Sequence, residues 1–378
     1  MTAVTPARTL ADEQAVAQRI LDHIDHHTTD LSEHTWREPV ANYRSTERFE
    51  RELAEVFRRC PTPVCPSAAV SAPGDYLARD VAGTPILVAR GRDGVVRAFR
   101  NACRHRGVPL ADGAGCGRTA FVCRYHGWTY GLDGALRHVP DGYGFPDLDP
   151  AEHGLVPVRT EERHGLVFLT QDEPAHHNDA LDELAGLIPP DAHLHGTTQI
   201  DIPANWKIVM DGFLEGYHLR ATHRQTFYPI QFDNLNVIER FGRNSRVAFP
   251  YRRINKLREV AAEDRSLDGM LTFVYHLFPN VVVATFPLNL AVIVHEPLAV
   301  DRTRTITYTL TRVAGDDAEG QAALKQGLDF ADEGVAEDRE MVRAIQRGLA
   351  SRANEHFVFG RFEGALTHYH RQLGSILG

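Results

Sequence analysis

Two short arms, Cys103-Arg104-His105 and Cys123-Arg124-Tyr125-His126, constrain this chain more than any other feature. Each arm carries one cysteine and one histidine, and the residues from Arg106 to Val122 separate them. Two thiolates and two imidazoles make a four-ligand set. A structural zinc ion also takes two Cys and two His, but zinc fingers pair Cys with Cys and His with His. Mixed arms suit a [2Fe–2S] centre in which two cysteines hold one iron and two histidines the other. That arrangement raises the reduction potential above that of an all-cysteine cluster. Gly107 and Pro109 after His105, and Gly127 after His126, suit tight ligand loops. Cys116 reads as a spacer residue, and Cys60 and Cys65 as packing residues with no histidine nearby. Zinc stays the alternative to iron on this pattern.

A second constellation runs from Asn205 to His223. Asp211, Glu215 and His218 fall at i, i+4 and i+7, one face of a helix. His223 follows five residues later, so it joins His218 at a metal only if the helix bends or ends between them. Trp206, Ile208, Val209, Phe213 and Leu214 mark the segment as largely buried, where acids and imidazoles are costly unless paired or metal-bound. The ordinary alternative is a helix with surface acids and a satisfied histidine. Further on, Ala331, Val335, Asp338, Val342, Ile345 and Leu349 form a helical stripe that is apolar except at Asp338. Two histidines and one carboxylate are the donor set of oxygen-activating non-haem iron(II). The alternative is a buried Asp338 paired with an arginine. Glu333 and Glu337 are rival carboxylates, but both fall off the stripe.

Around these motifs the 378 residues read as two domains. Residues 1–45 read as a polar helical arm with Leu10, Val16, Ile20 and Ile24 toward one face, and Phe49, Leu53, Val56 and Phe57 repeat that pattern. From Gly74 to about Asp172 the alternation of β-branched and polar residues predicts short strands, which places the Cys/His arms in a β domain over 46–172. An acidic segment, 173–190, leads into a second domain over 173–378. Helices are expected there near 205–222, 321–350 and 361–376, and strands near 236–252, 270–298 and 302–313.

The net charge of −9 argues against nucleic acid or an anionic membrane as partner. The N-terminus shows no secretory signal, and the apolar stretch from Val281 to Val294 is interrupted by Pro287 and Asn289, so no membrane span is expected. The expected location is the cytoplasm, where five cysteines beside histidines point to metal rather than to disulfides. His23, His26, His27, His193, His195, His368 and His370 have no convincing partners in the pattern.

Over almost its whole length the chain resembles the large (α) subunits of the Rieske non-haem iron aromatic ring-hydroxylating oxygenases, and within them the branch that includes choline and carnitine oxygenases. NACRHRG and CRYHGWTY are similar to the two cluster loops, and NWK followed by E-x-x-H-x₄-H to the mononuclear iron segment. HLFPN, EDREMVRAIQRGL and GRFEGALTHYHRQL are similar to the C-terminal catalytic half. The resemblance implies an α+β fold: an antiparallel β Rieske domain plus a helix-grip (START/Bet v1-like) catalytic domain with a curved antiparallel sheet. It implies a [2Fe–2S] Rieske cluster on Cys103, His105, Cys123 and His126, and a mononuclear non-haem Fe(II) on His218, His223 and Asp338. Glu215 matches the acid that bridges a cluster histidine of one subunit to an iron-ligating histidine of its neighbour in a homotrimer. Asp211 sits where relatives carry Asn or Asp.

The implied activity is that of an oxygenase component that takes electrons from a separate reductase or ferredoxin and uses O₂ to mono- or dioxygenate a small organic substrate such as an arene. An N- or O-demethylating monooxygenase acting on a quaternary ammonium or methoxy compound is the alternative. A Rieske electron carrier without oxygenase activity is the reading from another class, and a second domain holding His218, His223 and Asp338 counts against it. The chain has no G-x-G-x-x-G after a strand with which to take hydride from NAD(P)H itself.

Overall fold

The computed structural model describes residues 10–176 and 179–378. Residues 53–176 form one compact unit, and residues 10–52 join 179–378 in the other. The expected boundary at 45/46 and the separate N-terminal arm therefore give way to a different division. The first nine residues of that arm lie outside the described residues.

The unit over 53–176 is antiparallel β throughout its two sheets. The larger has seven strands in the order Thr62–Pro66, Leu166–Thr170, Pro157–Arg163, Val96–Arg100, Thr84–Arg90, Tyr76–Val81 and Gly113–Gly115. The smaller has three, Ala120–Val122, Thr129–Gly131 and Leu136–His138. Alternation along Tyr76–Val81 sends Tyr76 and Ala78 inward, as the period of two requires. They meet Leu87, Phe99, Phe121, Trp128 and Tyr130 in one core that also contains Cys103 and Cys123. Cys60 and Cys65 are buried, and burial pushes the Cys65 thiol up to about 12, so it stays a packing group.

The larger unit is a helix-grip fold. Seven antiparallel strands run in the order His193–Ile202, Arg302–Thr311, Asn289–Ala299, Val281–Thr285, Leu271–Leu277, Asn244–Pro250 and Val237–Phe241. Directly opposed residues share a face, and the register places Ser245, His276, Val282, Ile293 and Thr307 on one side. Helices cover that side. Tyr369 of the C-terminal helix Gly364–Leu377 lies 5.0 Å from the His276 ring, and Phe213, just past the helix Trp206–Asp211, lies 5.3 Å from the His295 ring.

On the opposite side, Val237, Ala248 and Leu271 pack with Val16, Ala17 and Ile20 of the helix Glu13–His26. That packing is why the N-terminal helix belongs to this unit: its apolar stripe needs the outer face of the sheet. Asp30 adds to it by accepting from the Ile238 N–H at 2.6 Å, ion-pairing with Arg19 and lying 3.0 Å from His23 Nε2. The expected all-helical arm also contains a strand, Trp36–Pro39, paired with His356–Phe359. His193 and His195 lie in the edge strand His193–Ile202.

The N-terminal segment grips the helix Trp206–Asp211 at its start. Glu52 is fully buried and sits 2.7 Å from the buried Lys207 ammonium through both carboxylate oxygens. The Trp206 indole N–H donates to the same carboxylate at 2.8 Å, and Arg48 lies 3.3 Å away. Removing one partner of a buried pair leaves a poorly compensated charge in the interior, whereas removing both leaves only the half-buried Arg48 without its carboxylate. Lys207→Met is therefore expected to destabilise the unit by about 3–5 kcal/mol, and Lys207→Met with Glu52→Leu by much less. Denaturant unfolding of the three proteins followed by circular dichroism checks this.

Candidate metal centres

The helix that begins at Trp206 stops at Asp211. Asn205 caps its start by accepting from the Lys207 N–H at 3.0 Å, and Gly212 caps its end. The chain then turns irregularly and resumes as a single helical turn, Leu219–Thr222, with His218 at its N-cap and His223 at its C-cap. The expected continuous helical face is absent, and its interruption is what lets two histidines five residues apart converge. Gly216 lies in the turn, where a Cβ would come within 2.7 Å of Asn236 Oδ1 and 3.1 Å of Phe249 Cε1. The turn is thus pressed against the sheet with no room for a side chain.

The His218 and His223 rings lie 5.0 Å apart. Both Nε2 atoms face one oxygen of Asp338, Oδ1, at 3.5 Å and 2.9 Å. Asp338 comes from the 31-residue helix Ala318–Gly348. Donor atoms of these three residues all lie within 4.8 Å of one another.

Each Nδ1 is engaged from behind by a different carboxylate. His218 Nδ1 pairs with Glu215 Oε1, and Glu215 Oε2 accepts from the Tyr217 and His218 backbone N–H groups. His223 Nδ1 lies 2.8 Å from Glu337 Oε2, which also accepts from the Thr226 hydroxyl at 2.6 Å. A ring that donates its Nδ1–H to a carboxylate presents a lone pair at Nε2. Two such lone pairs and a carboxylate oxygen then point into one small space, an arrangement that fits a cation. Burial opposes the His218 imidazolium, but the hydrogen-bonded Glu215 carboxylate outweighs it and raises the pKa. For Glu337 burial is likewise outweighed, and its hydrogen bonds from Thr226 and His223 lower the pKa.

The four Cys/His residues occupy two matching turns. The Cys103 N–H donates to Val108 C=O, and the Gly107 N–H to Cys103 C=O. The Cys123 N–H donates to Trp128 C=O, and the Gly127 N–H to Cys123 C=O, at the same offsets along the chain. Gly107 (φ 77°) and Gly127 (φ 74°) take the left-handed conformation these turns require. Cys103 and Cys123 are each 3% exposed, and the His105 and His126 rings lie 4.6 Å apart. His105 Nδ1 is buried without a hydrogen-bond partner, the signature of an atom waiting for a ligand bond. Trp128 stacks on His105 at 5.0 Å and 9°. The Tyr130 hydroxyl accepts from the Arg104 N–H at 3.0 Å and lies 3.4 Å from Cys103 Sγ, free to donate to the sulfur. Cys116 is exposed and apart from this set.

Comparison with known proteins bears on both centres. Residues 60–146 match the Rieske [2Fe-2S] domain, and residues 190–378 match the ring hydroxylating alpha subunit (catalytic domain). The chain belongs to the Rieske non-haem iron oxygenases. It is 30% identical over 333 residues to the carnitine monooxygenase oxygenase subunit of Acinetobacter pittii, covering 84% of this chain and 86% of that protein. The chloroplastic choline monooxygenase of Beta vulgaris is 26% identical over 88% of this chain and 75% of its own length. A solved quaternary ammonium Rieske monooxygenase with L-carnitine superposes with a TM-score of 0.76 at 23% identity, over 92% of this chain and 96% of that one. As a family member this oxygenase carries a [2Fe–2S] Rieske cluster and a mononuclear non-haem iron, and works with a reductase or ferredoxin. No helix among the described residues is long and apolar enough to cross a membrane.

Of the oxygenase's expected site residues, the structure brings together His218, His223, Asp338 and Glu215 in one unit, and Cys103, His105, Cys123 and His126 in the other. Asp211 turns away from the histidines to His370 and Tyr43. The stripe around Asp338 is shallower than its pattern implies, since Ile345 is 43% exposed. Glu337 lies off that stripe, yet it orients His223. The available signal was chemical rather than periodic: a metal-bound imidazole needs an acceptor for its other nitrogen. Glu337→Ala should lower the affinity of the mononuclear site for Fe(II) or Co(II) roughly 10–100-fold and leave the cluster spectrum unchanged. Metal titration with the visible spectrum recorded alongside reads both.

Proposed function

We propose that this oxygenase oxidises a quaternary ammonium compound bearing N-methyl groups, with iron(II) held by His218, His223 and Asp338. The cluster irons are assigned to Cys103 and Cys123 on one side and to His105 and His126 on the other. The observation that carries the iron assignment is the pair of imidazole Nε2 atoms facing Asp338 Oδ1, each ring braced at Nδ1 by its own carboxylate. Two histidines and one carboxylate leave coordination positions open, and iron(II) in that set supplies the oxygen chemistry. One turnover takes R–H, O₂, two electrons and two protons to R–OH and water, the electrons coming from NAD(P)H through the partner reductase. Hydroxylation of a carbon bonded to the ammonium nitrogen gives a carbinolamine that breaks down to an amine and a carbonyl.

The substrate class is supported by relatives that act on carnitine and choline, and by the surroundings of the site. A quaternary ammonium has no proton to share and is recognised by aromatic faces. Phe227 lies 4.7 Å from the His223 ring and 5.6 Å from Phe330. Gly334 makes room for it, since a Cβ there would fall 2.3 Å from Phe227 Cζ. The expected assembly is a homotrimer in which Glu215 links His218 to a cluster histidine of the adjacent copy.

Oxygen uptake with reductase and NADH, measured over carnitine, γ-butyrobetaine, choline, glycine betaine, naphthalene and benzoate, tests the substrate class. Coupled uptake with release of trimethylamine or an aldehyde from one of the ammonium compounds is expected. Turnover of the arenes alone would replace this reading with ring hydroxylation. Glu215→Gln is expected to retain both metals and to lose roughly 10–100-fold in turnover. Undiminished coupled activity in that variant, with full iron and sulfide content, excludes the bridging role.

A further inference from the structure

One buried histidine in the catalytic unit has no part in the chemistry above. His370, on the helix Gly364–Leu377, is 4% exposed and lies between two carboxylates from different elements. Its Nε2 is 2.9 Å from Asp211 Oδ1, and its Nδ1 is 3.5 Å from Glu38 Oε1. The Tyr43 hydroxyl donates to the other Asp211 oxygen at 2.8 Å and lies 3.2 Å from His370 Nε2. Glu38 also accepts from the Trp36 indole at 2.9 Å and the Asn42 amide at 2.7 Å. The rings of Phe359, Tyr43 and Tyr369 pack around the imidazole. Its other titratable neighbours are Tyr369 and the buried neutral His276. The nearby cation, Lys207, is committed to Glu52.

A neutral imidazole has one N–H and satisfies one carboxylate, whereas an imidazolium donates to both. With Asp211 and Glu38 on its two nitrogens, His370 holds its proton against the cost of burial, and its pKa is raised to about 9. Asp211 ends the helix Trp206–Asp211, and the next residues are the turn that carries Glu215 and His218. Both oxygens of Asp211 are therefore anchored at the last fixed point before the metal turn.

We propose that His370 is a positioning residue for the iron site, acting as a buried imidazolium that ties Asp211 to Glu38 and so fixes where the metal turn begins. This inference rests on the assignment of His218, His223 and Asp338 as the metal site.

Co(II) titration of the full-length, cluster-containing protein tests it, with the visible cluster spectrum as a control for folding. His370→Gln keeps a hydrogen-bonding group and removes the charge. It is expected to weaken Co(II) binding about tenfold and leave the cluster spectrum intact. Adding Asp211→Asn removes the stranded anion as well, and the double variant is expected to recover most of the affinity. The wild-type protein should also lose Co(II) affinity as pH rises through about 9, more steeply than the double variant, because deprotonation of His370 removes the bridge. Wild-type affinity in His370→Gln, or a double variant no tighter than the single, overturns the proposal. If His370→Gln does not fold, the double variant decides: soluble, metal-binding protein supports the charge balance, and failure to fold overturns it. Equal Co(II) binding by wild type and Asp338→Ala would instead remove the metal assignment itself, and the inference with it.

Discussion

Two imidazole lone pairs and a carboxylate oxygen directed into one space attract a cation and little else, and the catalytic unit is organised around making them meet. His218 and His223 are five residues apart, a spacing that an unbroken helix would point in divergent directions. The chain solves this by ending a helix at Asp211 and starting a one-turn helix at Leu219, so that the two histidines flank it. Asp338 then arrives from a long helix elsewhere in the chain. Each ring's orientation is set by a carboxylate behind it, Glu215 for one and Glu337 for the other. These acceptors select the tautomer as well as the angle, which leaves little of the geometry to the metal.

A short, interrupted helix has few hydrogen bonds of its own, so its position must be imposed from outside. Residues 38–52 do much of this. Glu52 pairs with Lys207 at one end of the six-residue helix, while Tyr43, and Glu38 through His370, reach Asp211 at the other. Both contacts bury ions, an expensive way to gain stability. What such pairs supply over an apolar contact is direction: a carboxylate held by two or three donors has one place to be. The segment therefore belongs to the catalytic unit by function as well as by packing.

The metal chemistry was legible in the sequence because it is local. The mixed Cys/His arms are a few residues long, and Asp338 interrupts an apolar stripe that would otherwise be continuous. Most strands were legible, from alternation in the Cys/His unit and from runs of β-branched residues in the other, but Thr62–Pro66 and His193–Ile202 were not. What was hidden depends on long-range contact. His370 looked unpartnered because its carboxylates, Asp211 and Glu38, lie 159 residues away and at the far N-terminus. Glu337 looked misplaced because helical periodicity reports which side meets the core, whereas His223 touches both Asp338 on the stripe and Glu337 one residue off it. The division of the chain was misjudged for a related reason. An amphipathic helix shows that it packs, but not on which sheet.

The two cluster turns share one backbone design and differ in where the histidine falls. Their backbones are hydrogen-bonded at the same offsets from Cys103 and Cys123, yet histidine follows by two residues in one and by three in the other. The cysteines sit inside the core, whereas His105 is partly exposed and His126 is open to solvent. Cys103 and Cys123 would hold a cluster from the buried side, and His105 and His126 from the side open to solvent. The histidine rings, and not the buried sulfurs, are therefore the side that a redox partner could approach.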